Sequence, residues 1–178
     1  MPELTEIRWH ARAGQGAKTA SQLLALALLR VGRSVQAFPE YGPERRGAPL
    51  RAYTRISNRA IRRHDAIEHP DLVVVLEPSL VSEANIDEGL AEAGLVLVNA
   101  EEPPAELAGK RVRCVPASRL AAARGSSFGN LVMVGAVAAV LGEPSLEEVQ
   151  EAAIELLGEK LAADDVRGAV EEGYRWAA

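Results

Sequence analysis

Cysteine is nearly absent from this 178-residue sequence, which contains only Cys114. A single cysteine excludes an internal disulfide, a cysteine-ligated iron–sulfur cluster and a cysteine-rich zinc site, because each of these needs more than one cysteine. The three histidines, His10, His64 and His69, are scattered and lack the spacing of metal ligands. The sequence therefore predicts no metal site on this chain.

Long apolar runs and an N-terminal targeting pattern are also missing. The longest apolar run, residues 131–141, falls well short of the roughly 20 residues that cross a bilayer. The first ten residues, MPELTEIRWH, lack the charged-then-apolar order of a signal peptide. We therefore expect a cytoplasmic protein with no membrane contact, and the net charge of −5 argues against nucleic-acid binding.

Positive charge is concentrated between residues 44 and 63, where seven arginines accompany one acidic residue. That segment carries a net charge of +6, so the rest of the chain carries −11. Two interpretations remain open: a solvated strand face and turn, or a surface that recognises a phosphate group or an acidic partner. The seven arginines are Arg45, Arg46, Arg51, Arg55, Arg59, Arg62 and Arg63.

Strands and helices alternate along the first two thirds of the sequence. The opening pattern is a strand, a glycine turn at Ala13–Gly16, a helix from Ala17 to Gly32, and a second strand at Ser34–Phe38. Residues 39–49 are rich in Pro and Gly and are predicted to form a loop. Further strands are predicted at Leu50–Ser57, Leu72–Leu76, Gly94–Asn99 and Arg111–Val115, and helices at Pro78–Ala93, Asn130–Leu141, from a capping box at Ser145 to Leu157, and Ala162–Trp176.

This alternation predicts one α/β domain over residues 1–178, with a mostly parallel sheet, helices on both faces and a helical C-terminal end from about residue 143. Ligands of such folds collect at the carboxyl ends of the strands. The glycine turn and the loop that begins at Tyr41 both follow strands, so both are expected at that edge.

The glycine turn has the physical character of a phosphate site, since glycines leave backbone amides uncovered at a helix start. It matches neither common fingerprint, however. A P-loop needs glycine where Ala17 and Arg12 stand, and a dinucleotide-binding turn needs glycine in place of Thr19. An ordinary NAD or ATP site is therefore disfavoured, while a tight turn without a ligand remains an alternative. Glu77 follows a buried strand, where it is either a functional acid or a charge at a helix start.

Three segments have distinctive sequences: ARAGQGAKTAS from Ala11, YGPERRGAP from Tyr41, and Asn130 followed by LVMVGAVAAVLG. They resemble a known family, the gamma subunits of pyruvate and related 2-oxoacid:ferredoxin oxidoreductases. That family has G-x-G-G-Q-G-x-x-T-A-S at the first turn, Y-G-P-E-R-R-G-A-P before the third strand, and an asparagine opening a late apolar helix. The resemblance covers residues 6–142 and departs from the family at Ala11 and Ala13, which stand in place of glycines.

The resemblance implies a subunit of a complex that converts a 2-oxoacid and coenzyme A into acyl-CoA and passes electrons to ferredoxin. Thiamine diphosphate, magnesium and iron–sulfur clusters would lie on alpha, beta and delta partners, with no catalytic residue on this chain. The substrate would be pyruvate or a branched-chain 2-oxoacid. The isolated chain would be inactive and is a candidate homo-oligomer. The alternative is a non-catalytic module of the same fold that binds a nucleotide or phosphate, or serves assembly.

The resemblance also implies a coenzyme A site at the two loops. Arginine suits phosphate because its planar fork forms paired hydrogen bonds. Salt bridges to partner subunits are the alternative role for the basic residues. The predicted phosphate-binding residues are Gly14, Gln15, Gly16, Lys18, Thr19, Arg45 and Arg46; the predicted loop-forming residues are Tyr41, Gly42, Pro43, Glu44 and Gly47; Asn130 completes the set.

Overall fold

The computed structural model describes residues 3–40 and 47–178. Those residues form one six-stranded sheet with helices packed against it. The strands are β1 (Leu4–Arg12), β2 (Ser34–Pro39), β3 (Pro49–Ser57), β4 (Leu72–Val75), β5 (Leu95–Val98) and β6 (Val112–Cys114). The helices are α1 (Ala17–Arg30), α2 (Leu80–Glu83), α3 (Ala117–Ala123), α4 (Gly129–Leu141), α5 (Leu146–Leu157) and α6 (Ala163–Ala177), with a 3₁₀ turn at Ala105–Leu107.

The sheet has the strand order β2-β3-β1-β4-β5-β6. β1, β4, β5 and β6 run parallel, as the short β-branched strands LVVV and LVLV predict for strands buried on both faces. β3 runs antiparallel to both β1 and β2 and lies between them. The mostly parallel sheet is therefore confirmed, with β3 inserted into the opening β1–α1–β2 unit.

One face of the sheet carries the main core. Ile7 and Trp9 of β1 pack there with Leu24 of α1 and with the apolar helix α4. The polypeptide of α4 is buried nearly all round, as its sequence predicts. Gly135 of α4 and Gly173 of α6 allow these two helices to lie close together. A Cβ on Gly135 would lie 2.0 Å from the Val170 carbonyl oxygen, and a Cβ on Gly173 would lie 1.7 Å from the Val132 carbonyl oxygen. The predicted capping box at Ser145 and Glu148 begins α5.

The other face has a much thinner helical cover. Among the residues that the structure describes, only α2 and the 3₁₀ turn pack there, against Val73, Val75 and their neighbours in β5. The predicted helix over Pro78–Ala93 is wrong, since α2 ends at Glu83. Gly89 has a φ of +71°, and a Cβ there would meet the Glu68 carbonyl oxygen at 2.0 Å, so the chain must turn at this point. The short helix α3 was not predicted.

Candidate functional site

A cleft of about 520 Å³ lies at the carboxyl edge of the parallel strands, and we call it the edge cleft. It lies where α1 and α4 begin and where β4 and β5 end. Both polar and apolar side chains line it. The lining residues are Gly14, Gln15, Gly16, Thr19, Leu76, Asn99, Ser118, Ser127, Phe128, Gly129, Asn130, Leu131, Leu157, Lys160 and Leu161.

The glycine turn forms one side of the edge cleft. Gly14 and Gly16 have φ values of +98° and +81°, which side chains other than glycine rarely adopt. Among the described residues every position with positive φ is a glycine, so Ala11 and Ala13 occupy ordinary conformations. The departures from the family pattern at these two alanines therefore leave the turn's backbone geometry intact.

The turn leads directly into α1 and leaves its first amides uncapped. Gly16 is the N-cap, and its carbonyl oxygen accepts the first helical hydrogen bond from the Ala20 N–H at 2.8 Å. Within the described part of the chain, no side chain caps this helix. The N–H groups of residues 17–19 thus retain their donor capacity, and the helix dipole adds partial positive charge.

A second helix begins against the same turn. Asn130 stands in the first turn of α4, and a Cβ on Gly16 would lie 2.5 Å from its Nδ2 atom. The residue before α4, Phe128, also supplies no side-chain cap. Two helix N-termini therefore border the edge cleft together, and their partial positive charges favour an anion there.

The side chain of Gln15 is engaged within the turn. Its Oε1 atom accepts from the Arg12 N–H at 2.7 Å, and its Nε2 atom donates to Oε2 of Glu77 at 2.7 Å. Glu77 Oε1 accepts in turn from the Ser79 N–H at 3.2 Å. Burial alone would raise the pKa of Glu77, but the hydrogen bonds from Gln15 and Ser79 outweigh it and lower that pKa. Glu77 is therefore an anionic hydrogen-bond acceptor behind the turn.

Asn99 and Ser118 are cleft residues that the sequence analysis missed. Asn99 Nδ2 donates to the Leu76 carbonyl oxygen at 2.9 Å and to Ser118 Oγ at 2.8 Å, while its Oδ1 accepts from the Ser118 N–H. These bonds join the ends of β4 and β5 to the start of α3. The position of Asn99 as the last residue of the predicted strand Gly94–Asn99 was the available signal. Lys160, in the turn after α5, also lines the edge cleft, but no feature of the sequence indicated this.

The predicted site residues are only partly brought together. Gly14, Gln15, Gly16, Thr19 and Asn130 line the edge cleft, whereas Lys18 is exposed on α1 beside it. Gly47 has a φ of +81°, and its carbonyl oxygen accepts from Arg12 Nη1 at 3.2 Å. The predictions for Tyr41, Gly42, Pro43, Glu44, Arg45 and Arg46 lie outside the described residues.

The arginine-rich segment is not a uniformly solvated face. Arg55 is fully buried, and its Nε atom donates to Glu6 Oε1 at 2.7 Å. Arg59 and Arg63 follow the strand on exposed positions and pair with Glu3 and Asp65. The solvated interpretation is therefore wrong for Arg55, because an anionic neighbour on β1 allows its guanidinium to be buried.

Neighbouring polar residues of β1 are buried on the same face. Arg8 Nε donates to His10 Nε2 at 3.1 Å, and Arg8 Nη2 donates to the carbonyl oxygens of Ile86 and Glu88. Burial, followed by the charges of Arg8 and Arg51, lowers the pKa of His10 to about 3. His10 is therefore neutral and accepts a hydrogen bond.

No helix within residues 3–40 and 47–178 has the length and apolar character needed to cross a bilayer. The same residues contain no cluster of three or more His, Cys, Asp or Glu side chains arranged to hold a metal ion.

Comparison with known proteins identifies the family. The model of the pyruvate ferredoxin/flavodoxin oxidoreductase family matches residues 6–176. The chain belongs to this family. Pyruvate synthase subunit PorC of Thermotoga maritima is 42% identical over 178 residues, which cover 95% of this chain and 92% of that protein. The common gamma subunit of the pyruvate/ketoisovalerate oxidoreductases of Thermococcus kodakarensis is 41% identical over 175 residues, covering 94% and 95%.

Solved structures agree with this assignment. The crystal structure of the Thermotoga maritima pyruvate oxidoreductase subunit PORC matches with a TM-score of 0.83 and 40% identity, covering 97% of this chain and 96% of that one. A 2-oxoglutarate:ferredoxin oxidoreductase from Magnetococcus marinus has a TM-score of 0.84 at 20% identity, which shows the shared fold alone. The chain is a gamma subunit of a 2-oxoacid:ferredoxin oxidoreductase complex, and not an unrelated module that shares only the fold.

Proposed function

We propose that this gamma subunit binds coenzyme A at the edge cleft during oxidative decarboxylation of pyruvate or a branched-chain 2-oxoacid. The observation that carries the proposal is the pair of uncapped helix N-termini, α1 and α4, at one cleft. Coenzyme A carries a diphosphate and a 3′-phosphate, and uncapped N-termini are suited to such groups. Apolar side chains such as Leu131 and Leu161 suit its less polar parts.

Basic side chains would complete the phosphate site. Lys18 lies on the first turn of α1 beside the cleft, and Lys160 lines it directly. Arg45 and Arg46 belong to the same proposal on the family motif alone. Gly14, Gly16, Thr19 and Asn130 would provide backbone and side-chain donors around the ligand.

The redox chemistry is assigned to other chains of the complex. We propose that alpha, beta and delta partners hold thiamine diphosphate, magnesium and the iron–sulfur clusters, with ferredoxin reduced through them. One cysteine in the whole sequence supports this division, because a cluster takes several cysteine ligands. The gamma-type unit would span residues 1–178, act in the cytoplasm and have no oxidoreductase activity alone, and it is a candidate for self-association when isolated.

The names of the relatives support the substrate class. The two curated relatives are named for pyruvate and for pyruvate and ketoisovalerate. The Magnetococcus marinus enzyme was solved with 2-oxoglutarate, coenzyme A and succinyl-CoA bound. Because that enzyme is only 20% identical to this chain, the edge cleft remains the main support for coenzyme A binding here.

Steady-state kinetics of the reconstituted complex test this proposal. Replacing Lys18, Arg45 or Arg46 with alanine removes one charge-assisted bond, so the KM for coenzyme A should rise on the order of ten- to a hundredfold. The KM for the 2-oxoacid should stay unchanged. Arg167→Ala, on an exposed position of α6, is the matched control. Intact assembly with an unchanged coenzyme A KM in all three variants would refute the proposal.

A further inference from the structure

Gln15 and Glu77 form a hydrogen-bonded pair that links two strand ends. Gln15 belongs to the turn after β1, and Glu77 follows β4, the parallel neighbour of β1. The Gln15 amide uses its oxygen for the Arg12 N–H and its nitrogen for the Glu77 carboxylate, both at 2.7 Å. The side chain therefore spans from the start of the turn to the adjacent strand.

Glu77 is itself held at a fixed place. The Ser79 N–H donates to its second oxygen, and the Leu76 N–H beside it donates to the His10 carbonyl oxygen at 2.8 Å. Hydrogen bonds to an ionised acceptor are roughly twice as strong as neutral ones. Glu77 thus offers the glycine turn a strong and well-placed anchor.

The geometry points to Glu77 as a positioning residue that holds the glycine turn, through Gln15, in the shape that presents the α1 amides to the edge cleft. A direct contact with an anionic ligand does not suit this carboxylate, since like charges repel and both of its oxygens already accept hydrogen bonds. The part of this inference that concerns coenzyme A rests on the function proposed above; the part that concerns the turn does not.

The turn's own amides provide a readout that needs no ligand. The Gln15 N–H donates to the Arg12 carbonyl oxygen, and the Ala20 N–H donates to the Gly16 carbonyl oxygen. Hydrogen exchange of these two amides, followed by NMR on the full-length chain, should accelerate about tenfold in Glu77→Ala because the turn opens more often. The Val149 amide, at the distant start of α5, should exchange as in the wild type.

A double-mutant cycle separates positioning from general loss of structure. Gln15→Ala and Glu77→Ala should each accelerate exchange at the turn, and the double variant should add little, because both changes remove the same link. Glu77→Gln, which keeps the shape of the side chain, covers the case in which Glu77→Ala fails to fold. Glu101→Ala is the control, as Glu101 follows β5 and pairs with the exposed Arg119.

Kinetics of the complex then distinguish the two proposals. If the turn presents the coenzyme A site, Glu77→Gln should raise the KM for coenzyme A while kcat and the KM for the 2-oxoacid stay near wild type. Faster exchange with an unchanged KM supports the positioning role and counts against coenzyme A binding at this cleft. Unchanged exchange at residues 15 and 20 in both Glu77 variants, or additive effects in the cycle, overturns the inference.

Discussion

Replacing Gly16 with alanine adds one methyl group at the point where α1 and α4 meet. The residue has a φ of +81°, and the new Cβ would lie 2.5 Å from Asn130 Nδ2. The left-handed backbone costs an alanine about 1–2 kcal/mol. The end of an asparagine side chain can move aside, so the contact displaces Asn130 from the cleft rather than unfolding the chain.

Gly32→Ala, after the far end of α1 and outside the edge cleft, provides the matched control for this change. Gly32 has a similar φ of +83°, but an added Cβ there meets no atom within 4 Å. Both variants should therefore lose about 1–2 kcal/mol of unfolding free energy, or roughly 2–8 °C in Tm. Only Gly16→Ala should also displace Asn130, and the loss of one hydrogen bond to an anion should raise the KM for coenzyme A about ten- to a hundredfold.

The assay combines thermal unfolding of the full-length chain with kinetics of the reconstituted complex. Asn130→Ala should reproduce the KM effect of Gly16→Ala, and the double variant should add little to either. Equal coenzyme A KM values in Gly32→Ala and Gly16→Ala would refute the reasoning, because they would show that the contact with Asn130 has no part in binding.

Three further predictions concern stability. Gly173→Ala should cost about 3 kcal/mol or more, because its Cβ would lie 1.7 Å from the Val132 carbonyl oxygen. Gly168→Ala should stay within about 1 kcal/mol, because the atoms nearest its Cβ belong to the end of the Arg124 side chain, which can change rotamer. Equal losses of unfolding free energy in urea would contradict this. Glu6→Ala should cost about 3 kcal/mol, the low end for breaking a buried pair, because Arg55 stays fully buried and keeps the Asp65 carboxylate at 3.5 Å as an anionic partner. Glu3→Ala, which breaks an exposed pair, should cost less than about 1 kcal/mol, so similar unfolding midpoints for the two variants would contradict this prediction. Neutral His10 must gain a proton on unfolding in acid, so its contribution to stability falls by about 1.4 kcal/mol per pH unit from pH 6.5 towards its pKa of about 3. The His10→Gln variant should therefore lose less unfolding free energy than the wild type between pH 7 and pH 5. An equal loss in the two proteins would argue against a neutral, buried His10.

Much of the parallel half of the fold was predictable because its signals are local. LVVV and LVLV are apolar at every position, and Ser145 with Glu148 satisfies amides within one helical turn. The place of β3 was not predictable in this way. Its antiparallel pairing with β1 depends on contacts such as Arg55 with Glu6, which are 49 residues apart in the chain. The pairing with β1 determines which side chains of β3 are buried.

The candidate site likewise contains residues that local sequence patterns predicted and residues that only the tertiary structure brings together. The glycine turn and Asn130 were predictable from motifs, since the chemistry of each lies within a few residues. Lys160 reaches the edge cleft only because α5 packs beside α1, which no local pattern reveals. The link between Gln15 and Glu77 likewise could not be predicted from the sequence, because the two residues are 62 positions apart in the chain although their side chains lie 2.7 Å apart in the structure.

Cryo-electron microscopy of the assembled complex with coenzyme A bound tests the central proposal most directly. We predict density for a coenzyme A phosphate within hydrogen-bonding distance, about 3 Å, of the backbone amides at the start of α1 and next to Asn130. Coenzyme A seated on another subunit, with the edge cleft of the gamma subunit empty, would contradict the proposal.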